Sequence, residues 1–137
     1  MSNTPITLGH PIRLKTDFNT AVENVTVALK SEGFGVLTEI DVQETLKKKL
    51  DVDFRPFKIL GACNPPLAYK ALSTAPVVGL LLPCNVTVAQ VDEGTIEVSL
   101  VDPLFMLGVI SHPGLEPVAS DARARLVRVM AALIKHN

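Results

Sequence analysis

Two Cys-Asn dipeptides, Cys63-Asn64 and Cys84-Asn85, are the residues of this 137-residue chain whose types are best suited to chemistry. Each lies at one end of an apolar run and close to a proline. A thiolate is both a nucleophile and a soft metal ligand, and a nearby helix N-terminus lowers the pKa of a thiol. The structural alternative is that each cysteine is a small buried hydrophobe and each asparagine forms a turn. Both interpretations remain open from the residues alone.

The strands that would carry these residues are expected to bring them together. Phe57–Cys63 is typical of a strand, and the prolines after it suit the first turn of a helix. If this strand is antiparallel to one that begins near Cys84, the end of the first lies beside the start of the second. The second strand turns at Asp92-Glu93-Gly94 and returns toward Asp102, as in a β-hairpin. We therefore expect one site that contains Cys63, Asn64, Cys84, Asn85 and Asp102.

Other site chemistries have less support in the sequence. A structural zinc ion needs about four ligands, and the two cysteines with His10, His112 and His136 match no zinc finger or knuckle. Ser111, His112 and Asp102 supply the residue types of a Ser/His/Asp triad, but no nucleophile elbow surrounds Ser111. A phosphate-binding glycine loop and a dinucleotide fingerprint are also missing. Ordinary hydrolase, kinase and dehydrogenase functions are therefore not favoured.

The remaining patterns predict a mixed fold. Residues 17–32 have the spacing of an amphipathic helix, with Asp17 as its cap and Gly33 after its end. Further elements are predicted as strands at 10–16 and 35–40, a short helix at 42–50 and a long final helix from Pro117. This order indicates a mainly antiparallel sheet with helices on one face. The expected fold is a two-layer α/β sandwich of the α+β class.

The segment Leu104–Ile110 is too apolar for a solvated loop, since its seven residues include six apolar side chains and no charge. Either the helices of the same chain or a second copy must cover it. Because the final helix already has an apolar stripe for the sheet, we favour a second copy. A closed two-fold pair is the commonest arrangement. The sequence thus predicts a homodimer with this segment in or beside the interface.

Composition limits the partners and the compartment. Lys and Arg total 13 against 14 Asp and Glu, aromatic residues are 4% and there is no Trp, so nucleic acid is not an expected partner. Neither a signal peptide nor an apolar run of about 18 residues is found, so a membrane is not expected. Two cysteines are too few for a secreted disulfide scaffold. We therefore expect reduced thiols and a cytoplasmic location.

Several motifs together resemble one known family. Gly61-Ala62-Cys63-Asn64-Pro65 and Gly79-Leu80-Leu81-Leu82-Pro83-Cys84-Asn85-Val86, with Thr38-Glu39-Ile40-Asp41 before them and Val101-Asp102-Pro103 after them, resemble the signature of the domain of unknown function 302 family. The likeness spans almost the whole chain. It implies a single domain over residues 1–137, a β-α-β-β-β-β-α sandwich related to the TATA-binding-protein-like folds, and a dimer. It implies no activity, because the family has none assigned.

Three functional hypotheses follow, and the sequence does not decide whether the protein is an enzyme. The first is a module that binds a small ligand or a transition-metal ion at the Cys63/Cys84 edge of the sheet, with Asn64, Asn85 and Asp102 as polar contacts. The second is a thiol-dependent enzyme or redox protein in which one cysteine attacks and the other resolves. The third is a structural dimeric interaction domain in which the motifs are only turns. No cofactor is indicated.

Overall fold

The computed structural model describes residues 8–135, which form a five-stranded sheet flanked by helices. The strands are β1 (Gly9–Lys15), β2 (Gly35–Asp41), β3 (Phe57–Cys63), β4 (Cys84–Asp92) and β5 (Thr95–Val101). Their order across the sheet is β1-β5-β4-β3-β2, and every neighbouring pair is antiparallel. The predicted antiparallel α+β sandwich is therefore confirmed.

Within residues 8–135, five α-helices connect and flank these strands. They are α1 (Phe18–Ser31), α2 (Val42–Leu50), α3 (Pro65–Thr74), α4 (Pro103–Gly108) and α5 (Glu116–Lys135). Two short 3-10 helices lie at Pro76–Leu81 and Pro113–Leu115. Asp17, Asp41, Asn64 and Asp102 cap α1, α2, α3 and α4, each by accepting a hydrogen bond from a backbone N–H in the first turn. Polar residues before each helix thus fix where it begins.

The larger core lies between one face of the sheet and the helices α1 and α5. It is built from alternate residues of the strands, because successive side chains of a strand point to opposite faces. Its fully buried members include Leu60, Val88 and Val98 from the strands, Leu29 from α1 and Val129 from α5. This is the packing that the amphipathic spacing of residues 17–32 and of the last helix predicts.

A second core cluster lies beside the ends of β3 and β4. It joins α3, α4, the 3-10 helix at 76–81 and the first half of α5. Cys84 belongs to it, together with Leu67 of α3, Met106 of α4 and Ala122 of α5. The helix α5 therefore takes part in both clusters, with its first half in this one and its second half in the sheet core.

The segment predicted to be covered by a second copy is partly covered by the chain itself. Residues 103–108 form α4, in which Met106 and Leu107 are buried against the second cluster. Leu104, Phe105 and Val109 are exposed by 37%, 42% and 70%. Helices of the same chain thus bury about half of the apolar side chains of residues 104–110.

Candidate functional site

The antiparallel pairing of β3 with β4 brings the two cysteines to the same end of the sheet, as the sequence predicted. Ala62 of β3 lies directly opposite Cys84 of β4, so Cys63 is offset from Cys84 by one residue along the sheet. Cys63 itself pairs with Gly35 of the edge strand β2. Both cysteines are free thiols, Cys84 buried and Cys63 half-buried.

Cys63, Asn64 and Cys84 line one cavity of about 270 Å³. The walls of this strand-end cavity come from the ends of β3 and β4 and from α3, α4 and the first half of α5. Besides those three residues, the lining includes Leu67, Ala71, Met106, Leu107, Val118 and Ala122. None of the residues that line it carries a charge. The cavity is open to solvent at a rim that includes Leu37 and Leu72, which are exposed by 67% and 41%.

The environment of Cys84 keeps its thiol protonated at neutral pH. Burial and, to a smaller extent, the nearby Cys63 thiol together raise the pKa of Cys84 to about 11. A protonated thiol is neither a good nucleophile nor a metal ligand. Cys84 is therefore an apolar wall of the cavity at physiological pH.

Asn64 has a structural role that accounts for its burial. Its Oδ1 accepts a hydrogen bond from the backbone N–H of Leu67 at 3.3 Å, which caps α3. Its Nδ2 donates to the carbonyl oxygen of Glu32 at 3.4 Å, just after the end of α1. Arg125 of α5 donates to the same carbonyl at 3.2 Å. The asparagine thus joins the start of α3 to the end of α1, and its amide is occupied by backbone groups.

Asn85 and Asp102 do not line the cavity. Asn85 is exposed on β4 opposite Gly61, and within residues 8–135 its side chain has no hydrogen-bond partner. It is therefore free to contact solvent or a partner. The predicted convergence of five residues holds for Cys63, Asn64 and Cys84 and does not extend to these two, because the side chain of Asn85 follows the sheet pleat outward and that of Asp102 is held by other groups.

Asp102 forms a separate cluster that connects three elements. His10 Nε2 of β1 and Arg123 Nε of α5 lie 3.1 and 3.3 Å from its Oδ2, and its Oδ1 accepts the N–H of Leu104 at 3.0 Å. Burial alone would raise the pKa of Asp102, but the hydrogen bonds from His10 and Leu104 and the charge of Arg123 lower it overall. The carboxylate is therefore ionised and partnered, and it anchors the start of α4.

The residues of the possible Ser/His/Asp triad are not arranged as one. The N–H of Gly114 donates to His112 Nδ1 at 3.0 Å, and Ser111 Oγ donates to the carbonyl oxygen of Gly108 at 3.3 Å. Asp102 pairs with His10 instead of His112. His112 and Ser111 thus act within a local turn.

The part of the chain that the structure describes does not contain a set of side chains suited to bind a metal ion. Residues 8–135 contain no group of three or more His, Cys, Asp or Glu side chains that could hold a metal ion. His136, one of the three scattered histidines, lies outside these residues. The residues at the strand-end cavity can therefore contact an uncharged group, but they do not form a coordination sphere.

Sequence reasoning missed the helical wall of the cavity. Leu67 and Ala71 of α3 and Val118 and Ala122 of α5 are each four residues apart, the spacing that places two side chains on one helix face. That spacing predicts a buried face, but it does not distinguish a packed core from a cavity wall. The pattern therefore could indicate burial and could not indicate the empty space beside it.

Described residues 8–135 include no helix that combines the length and the apolar composition needed to cross a bilayer. Comparison with the curated proteins finds no match to the chain.

Comparison with solved structures finds a similar protein. The chain resembles the crystal structure of an uncharacterised conserved DUF302 protein from Bacillus stearothermophilus, with 32% sequence identity and a TM-score of 0.85. The match covers 93% of this chain and 99% of that one. The sequence profile of the domain of unknown function DUF302 matches residues 10–133. The resemblance seen in the Cys-Asn motifs is thus confirmed, and the chain belongs to the DUF302 family.

Proposed function

We propose that the protein is a binding module that takes a small, uncharged, apolar ligand into the strand-end cavity. The observation that carries this proposal is a cavity of about 270 Å³ whose lining has no charged residue and only one side-chain amide, which is already bonded to backbone. Ligand sites are typically concave and mostly apolar. A dry apolar cavity of about 150 Å³ is large enough for benzene. The cavity therefore has room for a ligand larger than one benzene ring, such as a bicyclic ring or an alkyl chain of medium length.

The metal-ion half of the original hypothesis is not carried forward, because the described residues offer two thiols and no third ligand nearby. The thiol-enzyme alternative has weaker support than ligand binding. A resolving or attacking cysteine needs thiolate character, and the pKa of Cys84 is raised to about 11. Cys84 therefore serves the proposed site by its shape and polarisability.

The test is a titration with N-phenyl-1-naphthylamine, a neutral bicyclic probe that fluoresces in apolar surroundings. We expect saturable binding by the native chain. Ala68→Phe places a large side chain into the cavity from α3, where Ala68 is half-buried, and should weaken binding about tenfold or more. Ala131→Phe is the matched control, since Ala131 is exposed on α5 and does not line the cavity. It should leave binding unchanged.

Two outcomes would contradict the proposal. Binding that does not saturate would show that the probe only adsorbs to exposed apolar side chains. Equal affinity in Ala68→Phe and Ala131→Phe would place the probe elsewhere. Cys63→Ser and Cys84→Ala distinguish the binding module from the thiol enzyme. The proposed site needs no thiolate, so both variants should still bind the probe. A rapid reaction of either thiol with a disulfide reagent at pH 6 would favour the enzyme instead.

We also propose that residues 1–137 act as one domain, that the protein is a homodimer and that it resides in the cytoplasm. Support for a single domain is that α5 takes part in both core clusters. Free thiols at both cysteines suit a reducing compartment. Exposed apolar side chains on several elements support association. Light scattering at micromolar concentration tests the dimer, since a mass near 14.7 kDa would refute it.

A further inference from the structure

The stretch of residues 59–91 carries almost no charge, although part of it lies on the surface. Its only charged side chain is that of Lys70 on α3. Four large side chains in this stretch are exposed: Tyr69 by 74%, Leu72 by 41%, Val77 by 52% and Leu80 by 85%. Exposed apolar side chains that lie close together mark a surface for interaction, whereas scattered ones do not.

These side chains lie close together, around the mouth of the strand-end cavity. Leu72 is part of the cavity rim, and Tyr69 lies three residues before it on α3, a spacing that makes the two side chains neighbours. The 3-10 helix at 76–81 packs against this part of α3, since a Cβ atom at Gly79 would lie 3.7 Å from Leu72 Cδ2. Leu37 of β2, which is exposed by 67%, also lies on the rim. We call Leu37, Tyr69, Leu72, Val77 and Leu80 the mouth surface.

We infer that the mouth surface docks on the boundary between headgroups and acyl chains of a lipid layer, so that the cavity opens toward the acyl chains. This inference rests on the proposed function and names the source of the apolar ligand. A lipid layer offers both an apolar region for the mouth surface and an uncharged alkyl chain for the cavity. The prediction against a membrane partner was based on the lack of a signal peptide and of a spanning run, whereas docking on a lipid surface needs only exposed side chains.

The residue types and the charge of this region fit a lipid layer better than a protein partner. Tyrosine favours the headgroup level, where its ring is in apolar surroundings and its hydroxyl is in water. Lys70 follows Tyr69 on α3, is exposed and forms no ion pair within residues 8–135. A lysine extends its ammonium group from an apolar region to the headgroups, and the cytoplasmic leaflet is anionic. A protein interface, by contrast, normally has a polar rim.

Tyr69 allows a direct test, because it is the only tyrosine of a chain that has no tryptophan. The native chain is mixed with vesicles of phosphatidylcholine and phosphatidylglycerol whose acyl chains are brominated, since bromine quenches the fluorescence of a nearby phenol ring. We expect co-sedimentation with the vesicles and quenching of Tyr69. Leu80→Asp places a charge in the apolar layer and should weaken vesicle binding about tenfold or more. Val27→Asp is the matched control, since Val27 is 69% exposed on α1 and does not line the cavity. It should leave vesicle binding unchanged.

Lys70→Gln tests the match of charge separately. It should weaken binding to vesicles that contain phosphatidylglycerol about fivefold, the effect of one cation at an anionic surface. Binding to vesicles of phosphatidylcholine alone should not change. Equal binding of the native and Lys70→Gln chains to the anionic vesicles would overturn the inferred orientation on the lipid.

Failure of the lipid docking is distinguishable from failure of the proposed function. A native chain that binds N-phenyl-1-naphthylamine saturably but does not sediment with vesicles refutes the docking alone. A chain that sediments but does not bind the probe refutes the proposed function and, with it, the lipid as the source of the ligand. Leu80→Asp should lose the vesicles and keep the soluble probe, since Leu80 does not line the cavity.

Two further outcomes would assign the mouth surface differently. Vesicle binding without quenching of Tyr69 would place the lipid contact on another surface. A Tyr69 emission that changes with protein concentration, together with a doubled mass and no vesicle binding, would show that a second copy covers the mouth surface. Circular dichroism checks that each variant is folded. If Leu80→Asp does not fold, the quenching of Tyr69 in the native chain decides.

Discussion

The two Cys-Asn dipeptides serve different purposes although their sequences are alike. Asn64 is 7% exposed and joins two helices through backbone groups. Asn85 is exposed and without a hydrogen-bond partner in the described chain. Cys84 is buried, whereas Cys63 is half-buried at the end of its strand. Identical residue types therefore carry different consequences, because one dipeptide ends a strand and the other begins one.

We predict that Asn64→Ala lowers the free energy of unfolding by about 1 to 2 kcal/mol, because it removes a helix cap and leaves a carbonyl with one fewer donor. Asn85→Ala is the matched control and should change it by less than about 0.5 kcal/mol, as is usual for exposed positions. Urea unfolding followed by circular dichroism measures both. Equal losses in the two variants would mean that Asn85 has a structural partner after all.

The raised pKa of Cys84 predicts a loss of stability at alkaline pH. The unfolded thiol ionises near its ordinary value of 9.0, while the folded thiol stays protonated up to about 11. Between these values the folded state binds more protons, so the free energy of unfolding falls as pH rises. The fall attributable to Cys84 is roughly 2 to 3 kcal/mol, since one pKa unit corresponds to about 1.4 kcal/mol.

The Cys84→Ala variant isolates that contribution from the other groups that titrate at alkaline pH. Its stability should decline less steeply than that of the native chain above pH 9. Urea midpoints of the two proteins across this range give the comparison. Parallel curves would show that the thiol is not desolvated in solution, and they would also weaken the description of the cavity wall around Cys84 as buried and apolar.

At the scale of elements, α4 is the least self-sufficient helix around the cavity. It has six residues, fewer than an isolated helix needs in water. Its position depends on Asp102, which caps it and is held by His10 of β1 and Arg123 of α5. Since Met106 and Leu107 of α4 line the cavity, this carboxylate also shapes one cavity wall from outside.

We predict that Asp102→Ala costs more stability than Asp102→Asn, because asparagine keeps a cap acceptor and loses only the charge interactions. The lowered pKa of Asp102 sets the pH dependence of the stability that its carboxylate contributes. Stability from the ionised carboxylate is present above the unfolded pKa of 3.8 and is lost as pH falls through the folded value. The difference in stability between the native and Asp102→Asn proteins in urea should therefore shrink as the pH falls below 3.8. A gap that is constant with pH would contradict this role.

Regular elements could be predicted from the sequence where periodicity was long enough. The spacing in residues 17–32 and in the final helix, and the alternation around Asp92-Glu93-Gly94, matched α1, α5 and the hairpin of β4 and β5. Short elements could not be assigned in this way. The six residues of α4 give fewer than two helical turns, so their apolar side chains indicated burial without indicating which surface would bury them.

The candidate site was predictable to the extent that it depends on strand ends. The sequence analysis had to suppose that β3 and β4 are antiparallel, and the observed antiparallel pairing places Cys63 and Cys84 at one end of the sheet. The partner of Asp102 was not predictable, because the pairing of β1 with β5 brings His10 close only in the folded sheet. Empty volume also has no sequence signal, since a cavity wall and a packed core use the same apolar residues.

At the scale of the whole molecule, the helices α1 and α5 bury one face of the sheet. The second core cluster and the strand-end cavity lie beside the ends of β3 and β4.

The helix α5 links the cavity to the rest of the fold. Val118 and Ala122 pack in the cluster around the cavity, and Leu126 and Val129 pack in the sheet core. A continuous helix that belongs to both makes it costly for either cluster to melt alone, so heating should give a single calorimetric transition. Any compound that occupies the cavity of the native state then raises the melting temperature of the entire chain. Thermal-shift screening of compound collections can therefore reveal occupants of this cavity before any reaction or pathway is known.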